Sequence, residues 1–218
     1  MLCAENMGKL IVNERFISIQ GEGYWVGTPM SFIRLAGCPV GGGNRICKDY
    51  AGREFPCDTY YQGGDTMMVD ELLAWCLAMG LNRVCITGGE PFAQDIDELL
   101  SKLWYCGFQI HIETSGTLQP CDFIAKGTLS KNIPWITVSP KGGFNQKVLI
   151  QYAHEVKWLV HVDSEFVEPL KWMVPIHKFL QPVWDDKYKQ NVKLAIELVA
   201  KYSQFRLSLQ VHKMIGVL

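Results

Sequence analysis

Cys38, Cys47 and Cys57 stand on one glycine-rich stretch, followed at once by Asp58-Thr59 and, about thirty residues on, by Thr87-Gly88-Gly89-Glu90-Pro91. Three thiolates on one loop can hold three corners of a [4Fe–4S] cube and leave the fourth iron open to an outside ligand. The Gly88-Gly89 pair offers backbone without Cβ atoms, which a small cofactor can approach closely. Together these features point to an iron–sulfur enzyme that binds S-adenosylmethionine (SAM) at the open iron. A structural zinc site or buried thiols are the competing reading. Zinc, however, usually closes with four ligands in paired C-x2–4-C spacing, and this loop has neither such a pair nor a histidine.

The five other cysteines, Cys3, Cys76, Cys85, Cys106 and Cys121, are scattered over expected helices and strands, where buried packing is the ordinary role. Met1–Asn6 lacks a charged segment followed by an apolar stretch, so no secretory signal is expected. Eight cysteines then suit a reducing cytoplasm rather than a disulfide scaffold. Hydrophobic residues make up 48% and the formal net charge is −1. That balance argues against direct nucleic-acid binding. No apolar run approaches the ~18 residues of a membrane span. A length of 218 residues fits one domain, 1–218, with a sizeable core.

The expected elements alternate. Leu10–Ile19 and Ser31–Ala36 read as strands joined through Gln20-Gly21-Glu22-Gly23. The stretch from about 37 to 65 has no sustained periodicity, which for a loop that long suggests a functional segment. Thr66–Met79 reads as a helix capped by Asp65 or Thr66, Arg83–Thr87 as a buried strand, and Phe92–Cys106 as a helix. Strands follow at Phe108–Glu113, Trp135–Val138, Glu155–His161 and Ile176–Leu180, with a helix near Glu165–Met173. Val192, Ala195, Ile196 and Val199 mark a last amphipathic helix, and Arg206–Val211 a last strand. This alternation implies an α/β fold with a mainly parallel sheet. Ligands collect beyond the carboxyl ends of such strands, so Thr-Gly-Gly-Glu-Pro, Glu113-Thr114-Ser115-Gly116 and Ser139-Pro140-Lys141 should line one rim.

Several segments, in this order, carry a resemblance: Gln20–Gly23, Phe32–Gly41, Cys57-Asp58-Thr59, Ile86–Pro91, Ile112–Gly116, Val138–Lys141, Leu180-Gln181-Pro182 and Arg206–Lys213. From about residue 10 to the end, the chain resembles the 7-carboxy-7-deazaguanine synthases, radical SAM enzymes of queuosine and 7-deazapurine biosynthesis. The resemblance implies a modified, incomplete radical-SAM (β/α) barrel acting as a cytoplasmic homodimer. Its reaction would turn 6-carboxy-5,6,7,8-tetrahydropterin into 7-carboxy-7-deazaguanine and ammonia, started by a 5′-deoxyadenosyl radical. A flavodoxin-like or other low-potential donor would supply the electron. One departure stands out: the family usually spaces its cysteines C-x3-C-x2-C, whereas here they run C-x8-C-x9-C, twelve residues longer.

The resemblance assigns Cys38, Cys47 and Cys57 to the [4Fe–4S] cluster, Cys47 as the second ligand by elimination. It places SAM against Pro56, Cys57, Asp58, Gly89, Glu90, Glu113, Ser115, Ser139, Pro140 and Lys141, with Gln181-Pro182-Val183-Trp184 near the adenine. Thr59 would contact Mg²⁺, an ion that takes few protein ligands and keeps waters or substrate oxygens. Substrate contacts would come from Ile19, Gln20, Gly21, Arg34, Thr87, His212 and the carboxylate of Leu218. Read without the resemblance, Arg34 is either a fork for a carboxylate or an outward-facing edge-strand residue. Two other functions compete: a glycyl-radical activase acting on a partner protein, and a non-catalytic zinc-binding module. Gln20–Gly23, Arg34 and His212-Lys213 have no obvious use in the activase, and iron plus sulfide in anaerobically purified protein would exclude the zinc module.

Overall fold

The computed structural model describes residues 8–126, 133–142, 151–166 and 177–217. β1 (Lys9–Ile19) and β2 (Pro29–Leu35) pair antiparallel, with Phe16 opposite Phe32. Between them and the first helix lie a short hairpin, β3 (Ile46–Lys48) and β4 (Glu54–Pro56), and then β5 (Asp65–Met68). The remaining strands are β6 (Arg83–Gly88), β7 (Gln109–Thr114), β8 (Trp135–Val138), β9 (Glu155–Val160), β10 (His177–Pro182) and β11 (Arg206–Leu207). Nine strands form one sheet in the order β11-β10-β9-β8-β7-β6-β2-β1-β5. From β2 to β11 every pairing is parallel. Among the described residues the sheet stays open, with β11 and β5 at its two edges. This is the expected α/β fold with an incomplete barrel.

The helices with both ends among the described residues are α1 (Val69–Ala78), α2 (Asp97–Tyr105), α3 (Asp122–Ala125), α4 (Tyr188–Lys201) and α5 (Val211–Ile215). Ile33, Leu35, Val84, Ile86, Ile112 and Val138 of the sheet meet Leu72, Cys76, Leu99, Leu100 and Leu103 in the core. Burial of that apolar face drives the layering. The strands' carboxyl ends are thereby left to form one rim.

Local signals misplaced three boundaries and one helix face. The first part of the helix expected at Thr66–Met79 is strand: Asp65–Met68 pairs with Val12–Lys9. The helix starts only where the Glu71 carboxylate accepts the Met68 amide at 2.9 Å, so neither Asp65 nor Thr66 caps it. The helix expected from Phe92 is broken after the 3-10 turn Pro91–Ala93. Gln94 leaves helical geometry to accept the Ile11 amide and donate to the Ile11 and Ala36 carbonyls. Arg206–Val211 is strand only to Leu207, and His212-Lys213 belong to α5. In α4, Ile196 is exposed while Asn191, Ala195 and Leu198 face inward. Asn191 is buried because its amide donates to the Val183 carbonyl and accepts the Val162 amide, both at 3.0 Å. Residues 167–173 of the helix expected near Glu165–Met173 lie outside the described residues, as does Cys3. Cys76 and Cys85 are buried as expected, but Cys106 is exposed beyond the end of α2.

Glu155 carries a pH prediction. It starts β9 beneath Gly23, where its carboxylate accepts the Tyr24 amide at 3.0 Å. Burial, resisted in part by the Lys157 charge, pushes its carboxyl up to about 7. A raised acid favours folding when protonated, so its full contribution holds below the unfolded value near 4.5 and is lost as pH rises through about 7. Glu155→Gln should therefore melt higher than the parent at pH 8 and lose that advantage by pH 5. Equal shifts at both pH values in calorimetry would contradict a protonated Glu155.

Candidate active site

The exits of β2 and β6 are joined by backbone. The Gly89 amide donates to the Leu35 carbonyl at 3.2 Å and the Glu90 amide to the Gly37 carbonyl at 3.0 Å. A Cβ on Gly89 would run into the Gly37 carbonyl and stand 2.8 Å from the Cβ of Cys38. Gly88 has φ +131°, a region that L side chains rarely enter. The glycine pair thus lets the β6 exit lie directly against Cys38. Glu90 turns away beneath the rim. It is fully buried, with its carboxylate accepting the Thr114 hydroxyl at 2.7 Å, the Ser115 amide at 2.8 Å and the Phe92 amide at 3.2 Å. That carboxylate ties the β6 and β7 exits together.

The cysteine loop is ordered by its own contacts. The Gly37 amide donates to the Tyr61 carbonyl at 2.9 Å, and the buried Tyr61 hydroxyl donates to the Gly42 carbonyl at 3.2 Å. The Cys57 amide donates to the Arg45 carbonyl at 2.8 Å. Burial pushes the Cys47 thiol up to about 11, against the opposing pull of Lys141, and neighbouring Cys57 and Cys38 add to the rise. Burial also raises Cys57. Ligation by thiolates would release these protons. Among the described residues no three His, Cys, Asp or Glu side chains gather closely enough to hold a single metal ion. A cubane, which spreads its ligands over different irons, suits three separated cysteines on one wall better than a mononuclear site does.

A second group of lining residues forms a charge network on Lys157. Its ammonium pairs with Glu22 and lies 3.3 Å from the Glu113 carboxylate. Glu113 also accepts from the Gln20 amide group at 3.1 Å and the Thr87 hydroxyl at 3.3 Å. Gln210 donates to Glu22 at 2.7 Å and to Asp58 at 3.3 Å, and Lys213 pairs with Asp58. Burial alone would raise Glu22, but the Lys157 charge and the Lys157 and Gln210 hydrogen bonds hold it at about 2. Asp58 is partly exposed, and its carboxyl is held below the usual carboxylate range against partial desolvation, chiefly by Lys213. Burial keeps His212 below the ordinary imidazole range despite the nearby Glu22 and Glu113. Its ring lies against Gly21, where a Cβ would overlap Nδ1.

Arg34 faces inward. β2 is an interior strand, and the Arg34 guanidinium donates to the Glu14 carboxylate at 2.6 Å while lying over the Phe16 ring. Thr59 lies beside Asp58, its hydroxyl 3.5 Å from that carboxylate. Trp184 meets Tyr188 with ring centroids 4.2 Å apart.

Almost every residue singled out in the sequence lines one cavity of about 490 Å³. Glu90 and Pro140 are off its wall, and Leu218 lies outside the described residues. Sequence reasoning passed over Glu14, Glu22, Tyr61, Lys157 and Gln210, which also line it. Lys157 did leave a trace: a lysine inside the otherwise apolar run Val156–Val160 is unusual for a buried parallel strand.

A comparison with protein-family models gives no match. Curated relatives do match. The chain is 35% identical over 206 residues to the 7-carboxy-7-deazaguanine synthase of Bacteroides thetaiotaomicron, covering 94% of this chain and 97% of the relative. It is 32% identical to that of Bradyrhizobium diazoefficiens, covering 94% and 98%. Among solved structures, QueE from Escherichia coli superposes with a TM-score of 0.66 at 29% identity, covering 94% of this chain and 95% of that one. With similarity running the length of both partners, and the cysteine, glycine and Gln20–Gly23 segments converging on one cavity, the chain belongs to the 7-carboxy-7-deazaguanine synthase family.

Proposed function

We propose that this chain is a radical SAM lyase that converts 6-carboxy-5,6,7,8-tetrahydropterin to 7-carboxy-7-deazaguanine with loss of ammonia. The observation that carries the reading is convergence: Cys38, Cys47 and Cys57, the Gly88-Gly89 turn, and Gln20, Arg34 and Thr87 all face one cavity. When bound, the [4Fe–4S] cluster and SAM supply a 5′-deoxyadenosyl radical that takes hydrogen from the substrate. The three cysteines would hold the cluster. Gly89, Ser115, Ser139 and Lys141 would meet the methionine and ribose end of SAM, with Gln181, Pro182, Val183 and Trp184 towards its adenine. Glu90 would act from below, by fixing the loop that carries Gly89.

Substrate orientation falls to Arg34, Gln20, Thr87, His212 and Thr59, which line the same cavity. The Arg34 guanidinium offers a planar fork for a carboxylate or ring acceptor. Gln20 and Thr87, both hydrogen-bonded to Glu113, present fixed polar edges. A neutral His212 can hydrogen-bond without adding charge. The Thr59 hydroxyl is a suitable single protein ligand for Mg²⁺, which would fix a substrate carboxylate. A low-potential, flavodoxin-like donor, a homodimeric assembly and a cytoplasmic location complete the proposal. The seven described cysteines are free thiols, in keeping with a reducing compartment. No helix among the described residues is long and apolar enough to cross a membrane.

The test is anaerobic incubation of reconstituted protein with SAM, reductant, Mg²⁺ and the carboxylated pterin. The deazapurine and 5′-deoxyadenosine are both expected by mass spectrometry. SAM cleavage without the deazapurine would refute the substrate assignment and leave the reaction class standing.

A further inference from the structure

The lengthened cysteine loop is built as a docked hairpin. β3 and β4 pair with Cys47 opposite Phe55 and Ile46 opposite Pro56. Residues directly opposite on an antiparallel pair point to the same face, so Cys47 shares the cavity-facing side with Phe55. Glu54, which stands at C-x2-C spacing from Cys57, points to the other face and is exposed, paired with Lys48 at 3.0 Å. Cross-strand pairing therefore brings to the cavity a cysteine that lies ten residues from Cys57 in the chain.

A two-stranded hairpin this short is not stable alone, and its tip is fastened to β9 and to the segments after β9 and β10. Asp49 accepts the Arg53 amide at 2.9 Å to close the turn, and accepts the Ser164 hydroxyl at 2.7 Å. The Arg53 guanidinium reaches His161 at 2.9 Å and the Asp185 carboxylate at 3.7 Å, and His161 lies 2.9 Å from the same carboxylate. The Tyr50 ring packs on buried Trp158 of β9, with centroids 4.6 Å apart. These contacts join residues 49–53 to β9 and to the segments that follow β9 and β10.

We propose that Asp49, Tyr50 and Arg53 are positioning residues for the cluster: they latch the hairpin to the β9 and β10 exits and thereby hold Cys47 in the cavity wall. The inference rests on Cys47 being a cluster ligand. It gives the extra loop residues a task, which is to replace close sequence spacing with a fixed tertiary contact. Released from its anchor, the hairpin would open, and Cys47, 5% exposed when docked, would meet solvent.

The test needs no cluster. Apoprotein is alkylated with iodoacetamide under reducing conditions and the labelling rate of each cysteine is followed by mass spectrometry. In Arg53→Met, Cys47 should react about tenfold faster, as for a local opening that becomes more favourable. Cys38 and Cys57 should change less than about twofold, and core Cys76 should stay protected. Arg53→Lys, which keeps the charge, should recover part of the protection. An unchanged Cys47 rate in Arg53→Met overturns the proposal. If Cys76 also becomes reactive, the variant has unfolded globally, and Tyr50→Leu decides by the same criterion. After reconstitution, Arg53→Met should hold less iron per chain than the parent. Cluster retention by a Cys47→Ala chain would refute the ligand assignment but leave the labelling result intact, so the two failures are separable.

Discussion

Lys157→Met is expected to lower stability by about 3–5 kcal/mol at neutral pH, the usual result of removing one partner from a buried ionic cluster. The Lys157 ammonium is the counter-charge to Glu22 and Glu113, and all three groups sit on one cavity wall. In the parent protein Glu22 is held low, so its stabilisation is present above the ordinary carboxylate value and is lost only as pH falls through about 2. Without Lys157, burial is opposed only by the Gln210 hydrogen bond and the weaker pull of His212, and the pKa of Glu22 rises. The deficit of the variant should then be largest at pH 7–8 and shrink towards pH 4–5, where a buried Glu22 takes up a proton. Urea unfolding at both pH values measures it. A loss below about 1 kcal/mol, or one independent of pH, would sink this account. Glu22→Gln placed in the same chain should restore part of the loss, and the double-mutant cycle gives the coupling directly. Product formation should fall as well, because Gln20 and Thr87 are oriented through Glu113.

Cys47→Ala should abolish cluster retention and, with it, cleavage of SAM. Two cysteines cannot supply the three corners that leave one iron open. The parent, reconstituted without oxygen, should be brown and carry about four iron and four sulfide per chain. The variant should lose the cubane's electron paramagnetic resonance signal on reduction and form no 5′-deoxyadenosine. Intact activity would move the second ligand elsewhere. Glu54→Cys added to this variant re-creates C-x2-C spacing with Cys57. It should not rescue the cluster, because residue 54 lies on the hairpin face turned from the cavity. Rescue would show that proximity along the chain outranks the hairpin register.

Much of the architecture was legible because it is written in near neighbours. The buried runs Arg83–Thr87 and Trp135–Val138 and the three rim segments are recognised from residues within a few positions of one another, where backbone sterics and side-chain periodicity act. Boundaries failed where a distant partner decided them. Asp65–Met68 became strand because β1 was there to pair with it, and Phe92–Ala93 parted from α2 because Gln94 found Ile11 and Ala36.

The site divides in the same way. The sequence alone determined the chemistry: three thiols on one loop, a turn without side chains after a buried strand, and an arginine and glutamines in rim segments. Tertiary structure decided which groups face one another. It set Lys157 between Glu22 and Glu113, 135 and 44 residues away in the chain, put Glu90 beneath the rim, and chose Cys47 over residue 54 as the cavity-facing position of the hairpin. Charge pairing and strand register depend on distances through space, and those exist only once the apolar face of the sheet has been buried.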